Sequence, residues 1–194
     1  MSGIGMRLWR AVCDTRRYRF YGYDPAQGPG RRDPDIQVYD TWRAVPRPFR
    51  STVAPHPAVN VMYHRLRRGK ARLLCLSGDG KRLDAYGWIQ EWSVFRRRYG
   101  AIARDGVMLG FYWTAPAMRG RGLYGRLLAH SLALCAKDRP IRIGTSPDNR
   151  ASQRGIEKAG FRWLGDWEGR VYFRCWSTLR RVAGPGAEDG DGLS

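Results

Sequence analysis

Arg119-Gly120-Arg121-Gly122 stand at the head of the stretch MRGRGLYGRLLAHSLALCAKD, and Leu123-Tyr124-Gly125 follow as an apolar helical pattern begins. Such a spacing suits an anion. The first turn of a helix leaves backbone N–H groups without partners and carries the positive end of the helix dipole. Glycine lets the backbone approach a phosphate closely and adopt positive φ. Arg119 and Arg121 add charge, so a diphosphate is the ligand these features fit. A plain reading competes with this one, a solvated basic turn that only starts a helix. Gly120, Gly122 and Gly125 also spell G-x-G-x-x-G, the dinucleotide fingerprint, but that motif should follow directly on the first strand of a Rossmann unit. Here the Pro-containing TAPAM intervenes and too little chain follows. No G-x-x-x-x-G-K-[ST] occurs, which excludes a Walker A loop.

Elements on either side must hold this loop. GVMLGFYWT (residues 106–114) is a continuous apolar and aromatic run of strand length, as expected of a strand covered on both faces. After the loop, Leu123, Leu127, Leu128 and Leu132 recur at helical spacing and should be buried. IRIGT reads as a short strand and NRASQRGIEKA as a helix, with Ser146, Asp148 and Asn149 available to cap it and Gly160 to stop it. Upstream, PAVNVMYHRLRRG puts Val59, Met62 and Leu66 on one helical face and ends at Gly69. ARLLCLS and RLDAYGWIQEW flank Gly78-Asp79-Gly80 as a β-hairpin. FRWLGDW and RVYFRCW read as two last strands separated by Glu168-Gly169. Residues 1–55, rich in Arg, Pro and aromatics around YDPAQGPGRRDPD, read as irregular with one or two short strands. The acidic tail, residues 183–194, reads as disordered. The order of elements gives a mixed α/β (α+β) fold in a single domain over residues 1–180.

Composition narrows the partners. A chain of 194 residues, 43% of them hydrophobic, can bury one core. Its net charge of +18 points to something anionic: a phosphorylated cofactor, a nucleotide-linked substrate, an acidic carrier protein or nucleic acid. Cys13, Cys75, Cys135 and Cys175 are scattered, with no C-x-x-C and no histidine at ligand spacing, so neither a zinc site nor a disulfide framework is indicated. The N-terminus lacks the uninterrupted apolar core of a signal peptide, and no run approaches the ~20 apolar residues of a membrane span. A cytoplasmic protein without a membrane span is expected.

TAPAMRGRGLYGRLL resembles the acyl-CoA-binding motif of the GCN5-related N-acetyltransferase (GNAT) superfamily, [QR]-x-x-G-x-[GA]. Arg119 and Gly122 match, and Tyr124 stands where Gly or Ala is usual. NRASQRGIEKAGF is similar to that family's later motif, with Asn149, Ser152, Glu157, Lys158, Gly160 and Phe161 in place and the two motifs in family order. The likeness covers roughly residues 57–176, and residues 1–56 are poorly matched. It implies a GNAT-like, splayed, mostly antiparallel seven-stranded sheet flanked by helices, opened between the strands at 107–114 and 141–145, with acetyl-CoA or another acyl-CoA in the opening. By the same resemblance, the backbone at Trp113 and Thr114 pairs with the pantetheine arm. Arg119, Gly120, Arg121, Gly122, Leu123, Tyr124 and Gly125 take the pyrophosphate, while Asn149 and Ser152 face the cofactor from the other side. A broken sheet leaves strand N–H and C=O groups that an amide-containing ligand can satisfy. The implied reaction is acyl transfer, acetyl by default, to the primary amine of a small acceptor by direct attack.

Two family side chains are missing. Where many members carry an early strand carboxylate as base, this chain has Val107-Met108-Leu109, and where many place a tyrosine as general acid it has Ile156. The candidate substitutes are Glu91, with Asp84 and Asp105 as further carboxylates, for the base, and Tyr112 or Ser152 for the acid. Glu91 and Asp84 read equally as solvated strand carboxylates, Tyr112 as a packing tyrosine, and His56, His64 and His130 as structural. The excess charge is shared evenly between two explanations: an anionic acceptor such as an amino sugar or amino acid, and CoA together with solubility. Other classes stay open. One is an acyltransferase drawing on acyl-carrier protein or aminoacyl-tRNA; others are a basic nucleic-acid-binding module, which RRYRFYGY would suit, and a non-catalytic scaffold. The intact loop from Arg119 to Gly125 favours a CoA donor.

Overall fold

Strand alternation divides the apolar residues between two faces of one sheet. In the computed structural model, which describes residues 13–28, 30–55, 59–135, 139–172 and 176–185, the strands are β1 (Cys13–Tyr23), β2 (Ile36–Tyr39), β3 (Ala71–Leu76), β4 (Ala85–Glu91), β5 (Val107–Thr114), β6 (Ile141–Thr145), β7 (Arg162–Tyr172) and β8 (Trp176–Ala183). They lie in the order β2-β3-β4-β5-β6-β1-β7-β8, and every neighbouring pair is antiparallel except β5 and β6. The helices are α1 (Arg47–Val53), α2 (Val59–Arg67), α3 (Arg96–Tyr99), α4 (Leu123–Leu134) and α5 (Arg150–Lys158). This is the expected mixed α/β architecture with one strand more than the seven the resemblance implies.

One face carries Tyr21, Leu74, Ile89, Val107, Leu109, Ile141 and Ile143, and it packs against Leu123, Leu127, Leu128 and Leu132 of α4 and Ile156 of α5. All four leucines picked out by their spacing are buried. The opposite face has two patches. Leu73, Cys75, Tyr86 and Trp88 lie under Phe49, Val53, Met62 and Leu66 of α1 and α2. Phe20, Met108 and Trp167 lie under Trp92, Phe95 and Tyr99. Met62 and Leu66 thus use the helical face expected of them. The hairpin of β3 and β4 also forms, but its loop spans residues 77–84 rather than a two-residue turn, because the Asp79 carboxylate gathers the N–H groups of Lys81 and Arg82 at 2.8 Å each.

Three expectations give way. The N-terminal region is not mainly irregular: β1 runs for 11 residues and lies inside the sheet, flanked by β6 and β7. Its alternation is masked by arginines, which are accommodated because Arg19 pairs with Asp166 at 2.7 Å and Arg17 approaches Glu168 at 3.6 Å on the neighbouring strand. Glu168-Gly169 do not separate two strands. They lie mid-way along β7, opposite Arg17 and Arg16 of β1, where a Cβ on Gly169 would sit 3.3 Å from the Tyr18 ring and from Leu179. The glycine makes room for side chains and does not turn the chain. Lastly, β8 extends to Ala183, which pairs with Asp166; the remainder of the tail from residue 186, like His56, lies outside the described residues. Among the described residues, no helix is long and apolar enough to cross a membrane.

Between β1 and β2 the chain crosses the outer side of α4. A Cβ on Gly30 would fall 2.0 Å from the Ala129 carbonyl oxygen, so only glycine allows this approach. Arg126 fastens the crossing by donating from Nε to Asp33 at 2.6 Å. The Asp33 N–H donates to His130 Nδ1 at 2.9 Å, which requires a neutral imidazole, and burial pushes the His130 pKa below its ordinary value. The unfolded chain therefore takes up this proton first. Stability should be complete above the unfolded pKa of about 6.5 and decline as pH falls from there through the folded value. Urea unfolding should show this decline in the wild type and lose it in His130→Asn; equal slopes in both would dissociate the strap from His130 titration.

Candidate active site

β5 and β6 pair only through Val107↔Ile141, Met108↔Arg142 and Leu109↔Ile143. Beyond those three pairs they part. β6 follows β1 through Gly144↔Phe20 and Thr145↔Arg19, while β5 follows β4 out to Thr114↔Ala85. The divergence coincides with a bulge. Trp88 faces Gly110 and Tyr86 faces Trp113, so Gly87 stands opposite both Phe111 and Tyr112. An extra residue of this kind bends the strand. Phe111 adopts φ +53, an uncommon conformation for a bulky residue. Gly87 is obligatory there, since its Cβ would lie 2.2 Å from the Tyr112 ring.

A cavity of about 560 Å³ occupies the opening, lined by Tyr112, Trp113, Thr114, Met118, Arg119, Gly120, Gly122, Leu123, Tyr124, Asn149, Ala151 and Ser152. The structure thus brings together both sequence motifs and the end of β5. Gly120 and Gly122 take φ +77 and +75, and Gly122 caps α4 without a side-chain bond. Among the described residues, the N–H groups from Gly120 to Gly125 donate to no backbone acceptor. A Cβ on Gly120 or Gly122 would meet nothing within 4 Å, so open space fronts a row of unused donors at the positive end of a helix. The donor set and the open space fit a diphosphate. Two of the expected loop residues stand apart: Arg121 does not line this cavity, and Gly125 turns to the far side of α4, where it borders a second cavity with Arg31, Arg32 and Arg126.

The second motif does structural work as well. Asn149 caps α5 by accepting the Ser152 N–H at 3.1 Å, while its side of the helix borders the cavity. Glu157 accepts the Tyr21 hydroxyl at 3.1 Å, Gly160 ends the helix at φ +90, and the Phe161 ring meets Tyr23 at 5.2 Å. Three motif positions thereby dock α5 on β1.

The catalytic candidates separate. Glu91 is opposite Val107 at the closed end of β5, about 20 Å along the strand from Trp113. Arg139 holds it from two nitrogens, at 3.1 and 2.7 Å, and this hydrogen bonding keeps its pKa below the usual value. Glu91 is a structural ion pair, out of reach of the opening. Asp84 accepts the Gly78 N–H at 2.7 Å and shapes the hairpin loop. Asp105 lies in the turn before β5, where its carbonyl accepts from Arg142 at 2.9 Å. Tyr112 borders the cavity but its hydroxyl is 2.8 Å from Ser131 Oγ, which itself donates to the Leu127 carbonyl; Tyr112 therefore donates inward, to the helix. Ile156 is fully buried in the core and faces the sheet.

Tyr124, expected at the pyrophosphate, also brings a phenol to the opening. It lines the cavity together with Ser152, and burial drives its pKa well above the ordinary tyrosine value. Its ring lies edge-on to Tyr112 at 5.3 Å and against α5, where a Cβ on Gly155 would approach it to 2.7 Å. The signal was present in the sequence: Tyr124 is the loop residue that departs from the small side chain usual in the motif.

Comparison with known proteins agrees with this architecture. The sequence matches the Acetyltransferase (GNAT) family over residues 38–161. Similar solved structures include an acetyltransferase of the GNAT family from Novosphingobium aromaticivorans (18% identity, 88% of this chain and 67% of that one, TM-score 0.53). Another is a GCN5-related N-acetyltransferase from Sphaerobacter thermophilus (15% identity, 90% and 58%, TM-score 0.56), and a third is a GNAT-family acetyltransferase from Colwellia psychrerythraea (16%, 78% and 55%, TM-score 0.51). The chain thus spans 55 to 67% of the length of these three, and at such identities they speak to the fold. None of the curated proteins matches the sequence. Because the family match extends over well more than half of its residues and takes in both motifs that border the opening, the chain belongs to the GNAT acetyltransferase family.

Proposed function

We propose that the protein transfers an acyl group, acetyl by default, from acyl-CoA to the primary amine of a small acceptor. One observation carries this reading: a single cavity joins the unpaired edge of β5 to the unused amides of the glycine loop and the capped start of α5. The amides of Gly120, Gly122, Leu123 and Tyr124, with Arg119, would hold the diphosphate. The edge at Trp113 and Thr114 would pair with the amides of the pantetheine arm. When bound, the donor supplies a thioester carbonyl as electrophile.

The chain's own residues handle the protons. Tyr124 is buried and keeps its proton at neutral pH, as its raised pKa dictates. With Ser152 at the same cavity, it would deliver that proton from Oη to the departing thiolate. Among the described residues, no Asp, Glu or His lines the cavity, so we infer that the amine arrives neutral from solvent. Such a site depends on positioning and polarisation rather than on a general base.

Four outcomes check this. Calorimetric titration should show micromolar binding of acetyl-CoA or a longer acyl-CoA, with stabilisation of about 2.7 kcal/mol at 100 times Kd. Gly122→Asp should abolish that binding, since Asp tolerates the left-handed backbone but sets a carboxylate against the diphosphate. Binding of no CoA species would overturn the reading and move the donor to acyl-carrier protein or the partner to RNA. Tyr124→Phe should lower kcat about a hundredfold with little change in the acetyl-CoA KM, the effect of removing a general acid; unchanged turnover would remove Tyr124 from the chemistry. Glu91→Gln should leave both kcat and its pH profile within about threefold of wild type, as fits a residue outside the reacting groups. A lost acid limb in that variant would restore Glu91 as base.

A further inference from the structure

The outer side of α4 faces two arginines that no carboxylate claims. Arg31 and Arg32 belong to the strap between β1 and β2, and with Asp33, Asp35, Gly125 and Arg126 they line an open cavity of about 570 Å³. Both acids of this lining are spent on Arg126, which donates to Asp33 at 2.6 Å and to Asp35 at 2.5 Å. Among the described residues, no carboxylate pairs with Arg31 or Arg32.

Two exposed arginines alone would be a solvated surface. Here the backbone that carries them is pinned at both ends. Gly30, just before them, lies so close to α4 that a Cβ would stand 2.6 Å from Leu132 Cβ and 2.7 Å from Ala133 N. Asp33, just after them, donates its N–H to His130 Nδ1 at 2.9 Å. The strap is thus ordered against α4 before any ligand arrives, which lowers the entropy a ligand must pay. Neighbouring like charges repel, and an anion between them relieves that repulsion.

The helix side of the cavity is bare. Gly125 and Ala129 form it, and a Cβ on Gly125 would meet nothing within 4 Å. Gly125 is the third residue of α4, and its N–H donates to no backbone acceptor among the described residues. Leu123 and Tyr124, immediately before it, border the cavity at the opening of the sheet. The two cavities therefore flank the same first turn of α4, a turn of about 5.4 Å in pitch.

We propose that this second cavity binds a phosphate monoester between Arg31 and Arg32. A dianion suits two guanidinium groups, each of which presents a planar fork of donors to phosphate oxygens. Two sources can supply it. One is the ribose 3′-phosphate of CoA, a single sugar away from the diphosphate assigned to the glycine loop; this choice of occupant rests on the acyl-transfer reading. A pantetheine arm carried on a protein has no such group, so the cavity would distinguish the free donor from the carried one. The other source is a separate phosphorylated ligand, for which the site does not depend on that reading.

The test uses the full chain at constant ionic strength, titrated by calorimetry with CoA and 3′-dephospho-CoA and followed by NMR with inorganic phosphate. With the donor as source, CoA should bind about tenfold or more tightly than 3′-dephospho-CoA. Arg31→Gln/Arg32→Gln should erase that difference, keep the urea midpoint, and leave the 3′-dephospho-CoA affinity within about threefold of wild type. Arg67→Gln/Arg68→Gln, which removes the same charge at the end of α2 on the other face of the sheet, should keep the difference. With a separate ligand as source, the two nucleotides bind alike, and inorganic phosphate gives saturable shifts of the Gly125 N–H signal that Arg31→Gln/Arg32→Gln loses. Nucleotides that bind alike while the Gly125 signal stays silent overturn the proposal, as does either response surviving in Arg31→Gln/Arg32→Gln. Should neither nucleotide bind, the acyl-transfer reading falls and the phosphate response alone decides the site.

Discussion

The site exists because two parallel strands are held together for three residue pairs and no further. β6 is committed to β1 on its other edge, and β5 is committed to β4. Each outer pairing continues past the point where the inner one stops, so neither strand can bend back to close the gap without breaking its own ladder. The bulge at Phe111 and Tyr112 fixes where the parting begins, and Gly87 allows it, since any side chain there would strike the Tyr112 ring. A gap in a sheet would ordinarily be a liability, with strand N–H and C=O groups left dry or solvated at random. Here the N-terminus of α4 is set beside it, and, among the described residues, loop N–H groups that donate to no backbone acceptor border the same cavity as the end of β5.

Charge follows the same plan. The chain carries 35 basic residues against 17 acidic ones, and several of those acids are engaged in holding the frame: Asp166 to Arg19, Asp33 to Arg126, Glu91 to Arg139. Hydrogen bonding to an arginine depresses the pKa of each. At the cavity, by contrast, the described lining includes Arg119 and no carboxylate. An acidic side chain near the glycine loop would have competed for the same amides, so keeping carboxylates in the framework leaves the opening receptive to an anion. On the proposed reading, with no Asp, Glu or His among the described lining residues, the chemistry would begin with an amine that has already lost its proton.

Much of this was readable from sequence. The four α4 leucines, the apolar run of β5, the stop at Gly160 and the two motifs are local signals, each set by a period or by a residue that a backbone conformation demands. What was hidden is long-range. β1 looked irregular because Arg17 and Arg19 stand where a solvent-facing or core residue would be expected, and only their cross-strand acids, more than 140 residues away, make that alternation sensible. Gly169 looked like a turn because a glycine in a strand gives no hint of the rings that need its space. Glu91 looked like a base since nothing nearby in sequence shows that Arg139 will claim it.

The proposed acid is the instructive case. A motif ties a role to a position, and by that rule the phenol should project from the second turn of α5, where this chain has Ile156. The requirement of the chemistry is different: a protonated hydroxyl must face the cavity, from whichever helix can present it. α4 and α5 flank the same opening, so a tyrosine on the first turn of α4 can reach the space that one on α5 would fill. Two features permit that exchange. Gly155 leaves α5 bare where the Tyr124 ring lies, and Ile156 seals the core where a phenol would otherwise have needed a polar path out. On the proposed reading, Tyr124 would take the part of the phenol that Ile156 does not supply, and Gly155 provides the bare helix surface on which its ring rests.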